Sequence, residues 1–306
     1  MDGHKARRRL GIAILVCWLI PAVWIGADGG SAAQTAPSHQ SRSPWLTLIT
    51  QASALGLPTR FLRQVPHDFV ALEFEDLQRY AAEYDPAQHR MVLNRSLSFN
   101  AAGGVLRPLS RLTHQELGTL YHELFHAYMD YIRTHPARTA THQDMARLLT
   151  LAQQQRRCRY EVVLITPIIQ RKSATELRLL TEHESWEALN ETWAVFVGWA
   201  IWTTLQLDET LDPQGLERPV TKSEWLTRLH QADREGLLIG YYEPEDPAER
   251  AVTRKRYLAP SHRISPQEVS VLLEVLFEET PDAARRAAAV MQPPRPSRED
   301  DDSCRI

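Results

Sequence analysis

Two histidines four residues apart, His122 and His126, sit in the stretch LGTLYHELFHAYMDYI, with Glu123 directly after the first. In a helix, residues four apart lie one turn apart on the same face, so both imidazoles can offer a nitrogen to one ion. Glu123 is turned away by about 100° yet adjacent, so its carboxylate can reach a water on that ion without ligating it. Two neutral ligands and a separate base suit zinc-assisted hydrolysis. Zinc lowers the pKa of a bound water to about 7, and the glutamate accepts its proton during attack on a carbonyl. A catalytic zinc usually takes three protein ligands, however, and the residues after the motif, AYMDYI, hold no third histidine.

The elements that must position these groups are marked in the sequence. Thr113 followed by Glu116 is a capping box, which starts a helix there and carries it to about Ile132. The missing donor is expected on TEHESWEALNETWAVFVGWAIW, residues 181–202. Plotted at about 100° per residue, Trp186, Leu189, Trp193, Phe196, Val197 and Ala200 gather on one side, and Glu184, Glu187 and Glu191 on the other. A helix this apolar is expected to be buried, and a buried row of carboxylates is costly unless neutralised. A metal ion with its histidines would neutralise it; a solvated acidic face would not need to. From spacing alone, any of the three glutamates can be the third ligand.

HELFH followed by a helix reading LNETWAV resembles the gluzincin branch of zinc metallopeptidases, whose third ligand is a glutamate in an Asn-Glu-x-x-Ala-like setting on a second helix. LNETWA is similar to the corresponding stretch of aminopeptidase-N-like enzymes. The resemblance implies His122, His126 and Glu191 as ligands of one zinc per chain, Glu123 as general base, and a peptide or protein substrate. Where a gluzincin sets an acidic helper four residues after the ligand, Glu187 would be the ligand and Glu191 its helper; Glu184 is the remaining alternative. The resemblance also implies a zincin fold, in which a small sheet precedes the active-site helix and its edge strand holds extended substrate. RMVLNRSL would be a strand of that sheet. Sixty-four residues separate His126 from Glu191, several times the gap in the aminopeptidase-like group. The Gly-x-Met-Glu-Asn exopeptidase motif is absent, so an endopeptidase is favoured. A donor to the developing oxyanion is expected among Tyr241, Tyr242, Tyr257, His230 and His262, between which spacing does not choose. The competing class is a non-catalytic, zinc-stabilised exported binding domain. Glu123 tells against it, because a purely structural zinc has no use for such a base.

The rest of the chain sets the context. Its 306 residues carry a net charge of −3, which gives no electrostatic reason to expect nucleic acid. MDGHKARRRL is basic, GIAILVCWLIPAVWIG is apolar and ADGGSAAQ is small-residue-rich: the order of a signal peptide cleaved after Ala33. The arginines at 7–9 hint at a twin-arginine signal. An uncleaved anchor is the alternative, and it is the one route by which a membrane would become a partner. The expected product is periplasmic or secreted. Residues 34–44 read as a linker, 45–280 as one mainly helical α+β catalytic domain of zincin type, and 281–306 as a disordered tail. FVALEFE and RMVLNRSL read as strands joined across YDPAQH; RYEVVLITPIIQRKS is ambiguous between strand and buried connection. TKSEWLTRLHQADREG should open on a capping box of Thr221 and Glu224 and close on Gly236, and PQEVSVLLEVLFEE is a further helix. Cleavage would leave two cysteines, Cys158 and Cys304, and the polar setting of Cys304 argues against a structural bridge.

Overall fold

The Thr113–Glu116 box forms in both directions: the Glu116 N–H donates to Thr113 Oγ1 at 3.2 Å and the Thr113 N–H to Glu116 Oε2 at 2.7 Å. It opens a long helix, His114–Thr134, the second among the described residues after Pro44–Ala54. These helices, α2 and α1, belong to a computed structural model that describes residues 43–78, 81–100, 104–165, 176–209, 220–253 and 259–291. The expected leader and most of the expected linker lie outside those residues. Leu120, Tyr121, Leu124, Phe125, Met129 and Ile132 of α2 are fully buried, so α2 is the centre of the core rather than a surface helix.

A three-stranded sheet precedes α2. Its strands are β1 (Ala71–Glu75), β2 (Ala82–Asp85) and β3 (Arg90–Asn94), in the order β1-β3-β2. The two expected strands are present as β1 and β3, but they are not partners in a hairpin: they run parallel, with Leu72 opposite Met91. The hairpin is β2–β3, with Tyr84 opposite Met91. β2 is the strand that sequence reading overlooks, because its alternation is only two residues long, Ala82 and Tyr84 in and Glu83 out. It is an edge strand, as β1 is on the other side of β3, and it packs against α2.

After α2 the described residues form α3 (Pro136–Thr139), α4 (Gln143–Gln155), a π-helical turn (Arg156–Tyr160) and the hairpin β4 (Val162–Ile165) with β5 (Glu176–Leu179). The ambiguous segment thus leaves the π-helical turn at Tyr160 and is a strand over Val162–Ile165; its residues 166–173 lie outside the described residues. Next come α5 (Glu182–Glu209), α6 (Val220–Glu235), β6 (Ile239–Tyr242), α7 (Pro247–Thr253), β7 (Ala259–Arg263), α8 (Pro266–Leu276) and α9 (Pro281–Ala289), with β6 and β7 antiparallel. The architecture is α+β and mainly helical.

Three expectations change. α6 spans Val220–Glu235, so the helix is under way before Thr221, and Glu224 accepts from Arg228 one turn on. The helix does end before Gly236, at φ +72. Residues 281–291 are not tail: Thr280 caps α9 by accepting from the Ala283 N–H, and Ala284, Ala287 and Met291 are buried against the core. Proline at the first helical position and alanine spacing on one face make a docked helix from a composition that reads as disorder. Finally, Cys158 in the π-helical turn is disulfide-bonded. No helix among the described residues is long and apolar enough to cross a membrane.

Candidate metal centre

Two helices build the site, and their closeness depends on two glycines. A Cβ on Gly198 would lie 2.9 Å from the Gly118 carbonyl oxygen and 3.3 Å from the His122 Cβ; one on Gly118 would lie 2.9 Å from the Gly198 oxygen. Backbone against backbone, α2 and α5 cross with no side chain between them. The helices run antiparallel, because Gly118 faces Gly198 while His126, farther along α2, meets Glu191, earlier on α5.

One to two turns from the crossing, three donors converge. His122 Nε2 and His126 Nε2 are 3.0 Å apart. Glu191 Oε1 is 3.2 Å from His126 Nε2, and Glu191 Oε2 is 3.3 Å from His122 Nε2. Glu123 stands off, its nearest oxygen 4.0 Å from His122 Nε2. His122, Glu123 and His126 together form a group compact enough for one ion.

The three glutamates of α5 do not act as a row. Glu184 is fully buried and belongs to the start of the helix: it receives the Thr181 N–H at 3.0 Å, Arg178 Nη2 at 2.9 Å and the Glu245 N–H at 2.9 Å. Its oxygens meet these donors and not the imidazoles. Thr181-x-x-Glu184 is a capping box, and that signature could have assigned Glu184 from the sequence. Burial, joined by the nearby charges of Glu191 and Glu243 and opposed by the main-chain N–H of Glu243 and the charge of His126, pushes the pKa of Glu187 up to about 7. Glu191 is the one carboxylate of the three that reaches the imidazoles.

β6 reaches these carboxylates because Gly240 lies directly on α5, where a Cβ would come within 2.3 Å of Thr192 Oγ1. The chain leaving β6 thereby presents the N–H groups of residues 243 and 245 to Glu187 and Glu184.

Burial alone would raise the pKa of Glu191, but the His126 and His122 rings outweigh it and hold the carboxyl well below the usual range. Glu123 goes the other way. Burial, joined by the charges of Glu191 and Glu83, lifts it to about 7 against the opposing pull of His122 and of the Tyr84 main-chain N–H. Two carboxylates in one cleft are thus set apart, one firmly ionised and one poised to exchange a proton near neutrality.

The donor set fits a small divalent cation. Tetrahedral zinc with bonds of about 2.0–2.1 Å has ligand atoms about 3.4 Å apart, close to the spacing here. Glu191 Oε2 is buried without a hydrogen-bond donor.

The other expected residues fall elsewhere. Tyr242 is fully buried beside Arg178. His230 Nδ1 meets the Val290 carbonyl at 2.6 Å, and His262 Nε2 the Val162 carbonyl at 2.6 Å. Tyr241 is half-buried on β6. Tyr257 lies outside the described residues. Sequence reading missed Gly118, Gly198, Gly240 and Tyr84; the small residue one turn before His122 is the one signal available for the crossing. No known family model, curated protein or solved structure matches the chain.

Proposed function

We propose that the protein is an exported zinc-dependent metallopeptidase of zincin type that hydrolyses peptide bonds within a chain. The observation that carries the reading is the division of labour at the site: three donors within 3.3 Å of one another, and a buried carboxylate 4.0 Å away that is not one of them. His122, His126 and Glu191 would hold the ion, which supplies Lewis-acid polarisation of the carbonyl and activation of water. Glu123 takes the proton of the attacking water and passes one to the amine nitrogen as the C–N bond breaks.

The edge strand supports a peptide substrate. Asn94 N–H donates to the Ala81 carbonyl, so the alternation of an antiparallel ladder turns the main-chain groups of Ala82 and Tyr84 away from β3.

The test is elemental analysis joined to turnover. About one zinc per chain is expected, lost on His122→Ala or His126→Ala. Glu123→Gln should keep the zinc and the fold while lowering peptide hydrolysis by at least about 100-fold. Equal zinc in all forms would sink the site; zinc retained with no hydrolysis by the unaltered protein would favour the non-catalytic binding domain.

A further inference from the structure

A groove that shares no residue with the metal centre lies among α5, α6, α8 and α9. Its volume is about 280 Å³, and its walls are mostly apolar: Leu207, Trp225, Leu226, Leu273, Phe277 and Ala287. Trp225, Leu226 and Phe277 are only half-buried, so two aromatic side chains and a leucine stay partly in water. The rim carries both signs of charge, Asp208 and Glu279 alongside Lys222 and Arg286, all exposed. Among the described residues no salt bridge uses Glu279, Lys222 or Arg286.

The described chain stops beside this groove. α9 ends at Ala289, Val290 is in a turn and Met291 in a bend, with Met291 6% exposed. The Val290 carbonyl lies 2.6 Å from His230 Nδ1 on α6, one turn beyond the groove residue Leu226. The next five residues read Gln292-Pro293-Pro294-Arg295-Pro296. Three prolines fix φ near −65° and favour the polyproline II conformation, which packs on aromatic-lined grooves. At about 3.1 Å per residue, five residues reach roughly 15 Å. From His230 back to Lys222 along α6 is about 12 Å, so the segment is long enough to cover the groove. Its charges suit the rim, Arg295 and Arg298 coming before the acidic run Glu299–Asp302.

We propose that residues 292–296 dock in this groove, turning back along α6 with their prolines on Trp225 and Phe277 and Arg295 at the acidic part of the rim. The docked segment removes the exposed aromatic surface from water and ties α9 to α6.

The test uses the full-length protein with p-benzoylphenylalanine at position 277, an aromatic for an aromatic. Irradiation followed by peptide mapping is expected to find an adduct within residues 292–298, at the mass of one chain. Replacing the three prolines together (Pro293→Gly, Pro294→Gly, Pro296→Gly) frees the segment and alters no groove residue. The adduct yield should then fall at least about 5-fold, and binding of the dye anilinonaphthalene sulfonate should rise while the helical circular dichroism holds. The proposal is overturned if the label at position 277 reacts with nothing, or with residues 210–219, a second copy or a bound small molecule. It is overturned too if the glycine variant keeps its helical signal and both readouts stay as they were. Should that variant lose its helical signal, the adduct in the chain with its prolines intact decides alone.

Discussion

Three glutamates spaced three and four apart on one helix face end in three different chemical settings, and what separates them is which neighbour supplies the compensating charge or donor. Glu184 has an arginine and two N–H groups, Glu187 one N–H and two negative neighbours, Glu191 two imidazoles. Substitution should sort them accordingly. Glu191→Gln is expected to weaken zinc binding at least about 10-fold, while Glu187→Gln leaves it nearly unchanged; titration with a competing chelator measures both. Glu187 also predicts a pH dependence for the metal-free protein. Its folded pKa of about 7 lies above the usual 4.5, so the folded state holds its proton longer than the unfolded chain. Its ionisation therefore lowers stability progressively as pH rises from 4.5 to about 7, and not below 4.5. Glu187→Gln should raise the melting temperature over the unaltered protein at pH 8 and not at pH 4. The difference is on the order of 1 kcal/mol, since solvent screens a partly exposed carboxylate. An equal gain at both pH values would mean that packing, not charge, is responsible.

Between elements, the site is a matter of helix spacing. Gly198→Ala puts a methyl group against the Gly118 carbonyl and the His122 Cβ, neither of which can rotate away. The helices must part, and the expected results are a loss of about 1–3 kcal/mol of stability and weaker zinc binding, read by thermal melting and by chelator competition. Unaltered binding would show that Glu191 reaches the histidines without the close crossing. This spacing is also where sequence legibility runs out. The α2 helix, its capping box and the His122–Glu123–His126 arrangement are legible because they are local: a helix's own period puts residues four apart together. The amphipathic reading of α5 places its glutamates on one face but not against any particular partner, because partners come from β5, the 243–245 segment and α2, up to sixty-odd residues away in sequence. β2 is invisible for the related reason that a four-residue strand carries too little alternation to distinguish it from a loop.

At the scale of the whole molecule, Cys158 bears on where the protein works. A disulfide persists in an oxidising compartment, which supports the export reading of the basic and apolar N-terminus. The sequence argument against a bridge rests on the polarity around Cys304, but a disulfide needs only two Cβ atoms at bonding geometry and no apolar surroundings. Besides Cys158 the chain has Cys17 and Cys304, the two candidates for its partner. The two choices are tied to processing. Cleavage after Ala33 removes Cys17, so a mature exported form that starts at Gln34 has Cys304 alone available, and the bridge then ties the end of the chain to the turn between α4 and β4. Peptide mapping of unreduced protein from an oxidising compartment should therefore find Cys158 linked to Cys304 and an N-terminus at Gln34. Such a loop of well over a hundred residues would stabilise by roughly 2–4 kcal/mol, so reduction should lower the melting temperature while zinc content holds. A link from Cys158 to Cys17 would show the N-terminal segment retained and the cleavage reading wrong. A free Cys158 thiol in that material would remove the support the disulfide lends to export.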